Sequence, residues 1–141
     1  MNKWIQSGLV LIAVLLAACS GRTSHKTENR SVSDTGKAVI TFMEYEHQFG
    51  KVREGEKAGC IFTFENTGTS DLVIIAATTT CGCTVPEYDR KPVSPGEKGK
   101  MEVVFDTSGR NGIQSKIITV RSNAVTPVVM LKITADVIPT E

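Results

Sequence analysis

Cys81-Gly82-Cys83-Thr84 places two cysteines at a spacing that invites chemistry. On a regular strand, residues two apart share a face, with Cα atoms about 6.5–7 Å apart. That is the outer limit for a disulfide, and Gly82 relieves backbone constraint enough to bend the chain and close a small ring. Three chemistries fit the pair. As a closed ring or as packed thiols it is structural, rigidifying a turn. As a strained ring it is a redox couple. As two thiolates on one face it is a soft ligand pair suited to Cu(I) or Zn²⁺. A closed zinc site needs four ligands. The folded part of the chain offers only Cys60 and His47 beside the pair, and no His-x-x-x-His or second Cys-x-x-Cys supports a metal.

The other reactive side chains read as bland. Cys60 stands in phase with Phe62 and Phe64 in Cys60-Ile61-Phe62-Thr63-Phe64, on a face expected to be buried. A free cysteine there is a small hydrophobe. His47, beside Glu46, falls in a segment expected to be an edge strand or turn, and His25 falls in a polar stretch. The acids are scattered along strand faces and turns, with no placed pair for general acid–base work. Gly96 and Gly99 flank charged turn residues without the Lys-Ser/Thr of a phosphate loop. No catalytic constellation and no cofactor site is expected, so the sequence reads as a binding protein and not as an enzyme.

The elements that must carry these residues are strands. From Ala38 onward, short β-type runs alternate with turn clusters. Ala38–Met43 reads as a first strand, and the apolar run Leu72–Ala77 as a central one. Met101, Val103 and Phe105 alternate with Glu102, Val104 and Asp106, and Ile113–Arg121 and Val128–Val137 complete the set. Thr78–Pro95, interrupted by Pro86 and Pro92, reads as the longest irregular stretch and the natural surface for contact. About seven strands joined by short turns argue an all-β, immunoglobulin-like β-sandwich over residues 38–141. The antibody-type buried tryptophan is missing, because the one tryptophan is Trp4.

Ahead of the domain, Asn2 and Lys3 precede the run Leu9–Ala18, which has no polar side chain, and Cys19 follows at once. A charged start and an apolar run of this length read as a secretory signal over 1–18; a bilayer core needs about 20 residues. Leu16-Ala17-Ala18-Cys19 resembles the lipobox of bacterial lipoprotein precursors. The resemblance implies cleavage before Cys19 and acylation of its thiol. Ser20–Lys37 is polar except for Val32 and reads as a flexible tether, so that 19–37 forms a lipid-anchored N-terminus. With Ser20 and not Asp after the cysteine, the resemblance implies the periplasmic face of the outer membrane. Loss of 1–18 removes Lys3 alone among charged residues, taking Lys plus Arg from 16 to 15 against 15 acids. A neutral chain without a basic stripe gives no reason to expect nucleic acid.

Several segments taken together resemble a bacterial family catalogued as domain of unknown function 1573. They are Phe49-Gly50 with Gly55-Glu56, Phe62-Thr63-Phe64-Glu65-Asn66-Thr67-Gly68, Cys81-Gly82-Cys83-Thr84, Pro95-Gly96-Glu97-Lys98-Gly99 and Ser122-Asn123. The resemblance runs from Ile40 to Val137, and Cys60 is not part of the pattern. It implies kinship with the immunoglobulin-like sandwiches of cilia- and sperm-associated proteins and of pilus chaperones. The function expected is a lipid-anchored binding or scaffolding module whose partners are the membrane and another envelope protein. The rival is a thiol–disulfide or soft-metal handling protein centred on Cys81 and Cys83.

Overall fold

The computed structural model describes residues 36–140. The segment 1–18 expected to be a signal peptide, Cys19, His25 and all of the expected tether but Gly36 and Lys37 lie outside the described residues. The strands are β1 (Ile40–Phe42), β2 (Glu46–Arg53), β3 (Lys57–Asn66), β4 (Ile74–Thr79), β5 (Thr84–Tyr88), β6 (Lys98–Asp106), β7 (Gly112–Ser122) and β8 (Val128–Ile138). They form two four-stranded sheets, ordered β1-β3-β6-β5 and β2-β8-β7-β4. Every pairing is antiparallel except β2 with β8. The domain is an immunoglobulin-like β-sandwich.

Period-two alternation explains the layering. In β3, Cys60, Phe62, Phe64 and Asn66 turn inward while Lys57, Gly59 and Ile61 face out. Met101, Val103 and Phe105 do the same in β6, and Leu131, Ile133, Ala135 and Val137 in β8. Phe62, Phe64, Phe105, Leu72, Met101 and Leu131 are among the fully buried side chains, each contributing about 1.5–3 kcal/mol from apolar burial. Asn66 is a polar member of this interior, with Thr84, Thr107 and Ser122. Its Nδ2 donates to the carbonyls of Ser70 and Val93, both at 2.8 Å, and its Oδ1 accepts from the Gly68 N–H at 3.0 Å.

Three expectations change. The sandwich has eight strands, because β5 lies inside the stretch expected to be irregular. Pro86 is compatible with it because β5 is an edge strand, where a missing N–H breaks no ladder. The apolar run Leu72–Ala77 is not a central strand: Leu72 makes an isolated bridge to Val93, and β4 sits at the edge of the second sheet. Its hydrophobicity is divided, with Leu72 and Ile74 in the core and Ile75 exposed. The first strand is shorter than Ala38–Met43, because the Ala38 and Val39 carbonyls instead accept from Val125 and Thr67.

The four edges are each blunted against further pairing. β1 has three residues, β2 and β4 carry register shifts, and β5 carries Pro86.

Candidate functional site

β4 ends on Thr79 at the edge of the second sheet, and β5 begins on Thr84 at the edge of the first. Thr80–Cys83 is therefore the crossing between the layers. Within it Cys81 and Cys83 are joined in a disulfide, with Cα atoms 5.3 Å apart. The chain turns here, which brings the two Cα atoms well inside the spacing of a regular strand. Gly82 is not needed for that bend in the way the sequence implies: its φ lies outside the left-handed region, and a Cβ there would meet no atom within 4 Å beyond its two chain neighbours.

The frame around the ring is built from hydroxyls and backbone. Thr79 Oγ1 shares its hydrogen between the carbonyls of Cys81 at 2.7 Å and Thr84 at 3.0 Å. The Asp106 N–H donates to the Cys83 carbonyl at 2.8 Å. Thr84 is buried, and its Oγ1 lies 3.8 Å from Cys81 Sγ and 3.9 Å from Cys83 Sγ. Both cysteines are half-buried and Gly82 is exposed; Cys83 packs against the core. From Leu72 to Pro86 no residue carries a charge.

As a staple this disulfide is weak. The chain-entropy relation gives about 1.6 kcal/mol for a ring enclosing one residue, against about 3 kcal/mol for a fifteen-residue loop. Thr79 and Asp106 already hold the same turn. What the ring adds is a sulfur pair presented at a sheet margin.

Cys60 and His47 are not brought to it. Cys60 is a free, buried thiol facing inward on β3, with β6 between it and β5. Burial first, and the Glu44 charge second, push its pKa up to about 11, so it is protonated and unreactive at neutral pH. His47 lies on β2, the opposite edge of its sheet from β4. Its Nδ1 is 3.3 Å from Glu44 Oε1, and its ring meets Phe49 edge-on with centroids 4.8 Å apart. The fourfold set of the cysteine pair with Cys60 and His47 is thus not assembled. Among the described residues no group of three or more His, Cys, Asp or Glu side chains is placed to hold a metal ion.

Sequence reading missed Thr79 and Thr84 as site residues. Their only signal is that they flank the cysteines. It also missed an open groove of about 670 Å³ on the outer face of the first sheet, lined in part by Ile61, Tyr88, Lys91, Val93, Lys100 and Glu102. Ile61 is 53% exposed there, an apolar side chain on a strand's solvent face. An open groove with a charged rim suits a segment of polypeptide better than an enclosed small molecule.

With this geometry in view, comparison with known proteins gives a family and a fold. The family described as "Protein of unknown function (DUF1573)" matches residues 40–137. No curated protein matches. Among solved structures, a protein of unknown function from Porphyromonas gingivalis W83 is similar, with a TM-score of 0.63 and 19% identity over 70% of this chain and 46% of that one. PapD-like domain 7 of human CEP192 superposes with a TM-score of 0.57 and 13% identity, over 74% and 89%. The secreted serine protease VesC from Vibrio cholerae does so with a TM-score of 0.55 and 14% identity, over 70% and 23%. The chain spans less than half of the Porphyromonas protein and under a quarter of VesC. At these identities the likeness is one of fold.

Proposed function

The chain belongs to the DUF1573 family, whose description assigns no activity, and from that premise we propose a lipid-anchored binding module of the cell envelope that holds another envelope protein at the groove on the outer face of its first sheet. The observation that carries this is the groove itself, where the exposed Ile61 stands amid charged side chains over the first half of β6, at the end where the chain enters the sandwich. Lys37 and Ala38 bond to Thr69 and Val125, at the end that holds the β3–β4 and β7–β8 turns. The Cys81–Cys83 crossing meets Asp106, at the far end of the nine-residue β6. The rise of such a strand is roughly 27 Å. The crossing thus lies at the end of the sandwich farther from the entry point, while the groove over Lys98–Glu102 lies nearer to it.

The anchor in this reading is acylated Cys19, after removal of 1–18, at the periplasmic face of the outer membrane. The lipobox-like Leu16-Ala17-Ala18-Cys19 and the polar residues after it support that placement. The blunted sheet edges argue against strand addition as the binding mode. The groove beside β5, with Ile61 and Tyr88 amid Lys91, Lys100 and Glu102, offers apolar contact within a rim of mixed charge. Binding there is of the polar-rimmed, patch-centred kind common to non-obligate partners.

Chemical cross-linking in native membranes tests the reading. Ile61→Asp with Lys91→Glu should abolish recovery of a partner adduct. Met130→Ser, on the exposed face of the other sheet, should leave it unchanged. An adduct recovered equally from the groove variant would overturn the assignment.

A further inference from the structure

We propose that the Cys81–Cys83 disulfide is a thiol–disulfide exchange site, taking two electrons from a pair of cysteine thiols on another polypeptide. The inference goes beyond a binding module and stands without it.

Three features converge. First, both cysteines are only half-buried and the single residue the ring encloses, Gly82, is exposed, so the bond lies at the surface where a partner sulfur meets it. Second, the turn does not depend on the bond. The Thr79 hydroxyl and the Asp106 N–H hold the Cys81, Cys83 and Thr84 carbonyls whether the sulfurs are joined or not. Opening the ring therefore leaves both thiols near each other and ready to reclose. Third, the Thr84 hydroxyl stands within 4 Å of both sulfurs, at 3.8 and 3.9 Å, where it donates to whichever becomes a thiolate.

Packing assigns the roles. Cys83 rests against the core, so Cys81 is the sulfur attacked. A substrate thiolate, its proton released to solvent, forms a bond to Cys81 Sγ. The Cys81–Cys83 bond breaks, and its electron pair leaves on Cys83 Sγ, which Thr84 stabilises and solvent then protonates. The second substrate thiolate attacks the substrate sulfur of the mixed disulfide. Cys81 leaves with that electron pair and takes a proton. Two substrate thiols become one disulfide, and Cys81–Cys83 becomes a dithiol. Cys60 takes no part, being buried.

The surroundings name the substrate class. The Leu72–Pro86 stretch that carries the pair has no charge, Val85 beside it is 52% exposed, and the charged residue that touches the crossing, Asp106, does so through its backbone N–H. An uncharged cysteine-containing segment of polypeptide fits this better than a charged small thiol.

The test uses the full chain purified from membranes and a synthetic uncharged peptide bearing two cysteines. With the reduced peptide in excess, acid quenching and alkylation should find one peptide disulfide per chain, with Cys81 and Cys83 both alkylated. Offered the oxidised peptide, Cys83→Ser should trap it on Cys81 at least tenfold faster than Cys81→Ser traps it on Cys83. Thr84→Val, which keeps both cysteines, should slow the wild-type exchange at least threefold. A ring that stays closed in the folded chain and opens only in denaturant would overturn the proposal. Equal trapping by the two variants would overturn the assignment of Cys81. Opening by glutathione as fast as by the peptide would overturn the substrate class. None of these outcomes touches the cross-linking result at the groove, so the two readings fail separately.

Discussion

The Cys60 thiol gives the interior a measurable pH signature. In the unfolded chain it ionises near the ordinary thiol value of 9.0, while burial and then Glu44 raise it to about 11 in the fold. Below pH 9 both states keep the proton, and the contribution to stability is fully present. Between 9 and 11 only the unfolded chain sheds it, so stability falls as pH rises, and the contribution is lost as pH passes the folded value. Cys60→Ala should therefore be less stable by about 1 kcal/mol at neutral pH, yet its melting temperature should decline less steeply between pH 9 and 11. Parallel curves for the two proteins would show that burial does not hold this proton. Residue by residue, legibility followed the strand period. Cys60 was placed on the inner face by its phase with Phe62 and Phe64. The Thr84 hydroxyl beside both sulfurs was not readable, because spacing alone does not say that the chain doubles back at Thr80–Cys83.

At the level of elements, the sandwich is cross-tied where turns meet, and Asn66 is the tie. Beyond its side-chain bonds to Ser70, Val93 and Gly68, its N–H donates to the Glu97 carbonyl and its own carbonyl accepts from Gly96. One residue thus links the end of β3 to both the turn that follows it and the turn before β6. Asn66→Ala takes the side-chain partner from the half-buried Ser70 carbonyl and Gly68 N–H, each costing about 1–3 kcal/mol, while the Val93 carbonyl keeps the Leu72 N–H. Urea denaturation should show a loss of about 3 kcal/mol with an unchanged slope; a loss under about 1 kcal/mol would mean that the turns stand without it. The Asn66-Thr67-Gly68 and Pro95-Gly96-Glu97 segments were readable as turns from their residue types. That they bond to each other was not, because the contact joins residues some thirty positions apart and depends on β3 pairing with β6. β5 escaped notice for a related reason: Pro86 marks a break in an interior strand but is tolerated at an edge.

Taken whole, the molecule is polarised, and the polarity matters only if its N-terminus is fixed. The chain enters beside Thr69 and Val125, and the sulfur-bearing crossing lies at the other end of β6. Anchoring at Cys19 would attach the sandwich at the end opposite Cys81 and Cys83. Two or more acyl chains on one cysteine suffice for stable attachment, since each buried CH₂ contributes about 0.8 kcal/mol. Cys19→Ala should consequently move the protein from the membrane pellet to the soluble fraction. Its far-ultraviolet spectrum should remain that of a β-sandwich, and its exchange with the two-cysteine peptide should persist in solution, because the strands and the bonds described around the sulfurs are made by residues 36–140. What release should abolish is adduct formation with a membrane-held partner, since the groove would no longer be concentrated at the surface. Wild-type protein recovered soluble with an unmodified Cys19 mass would overturn the anchor, as would Cys19→Ala protein that still sediments with membranes.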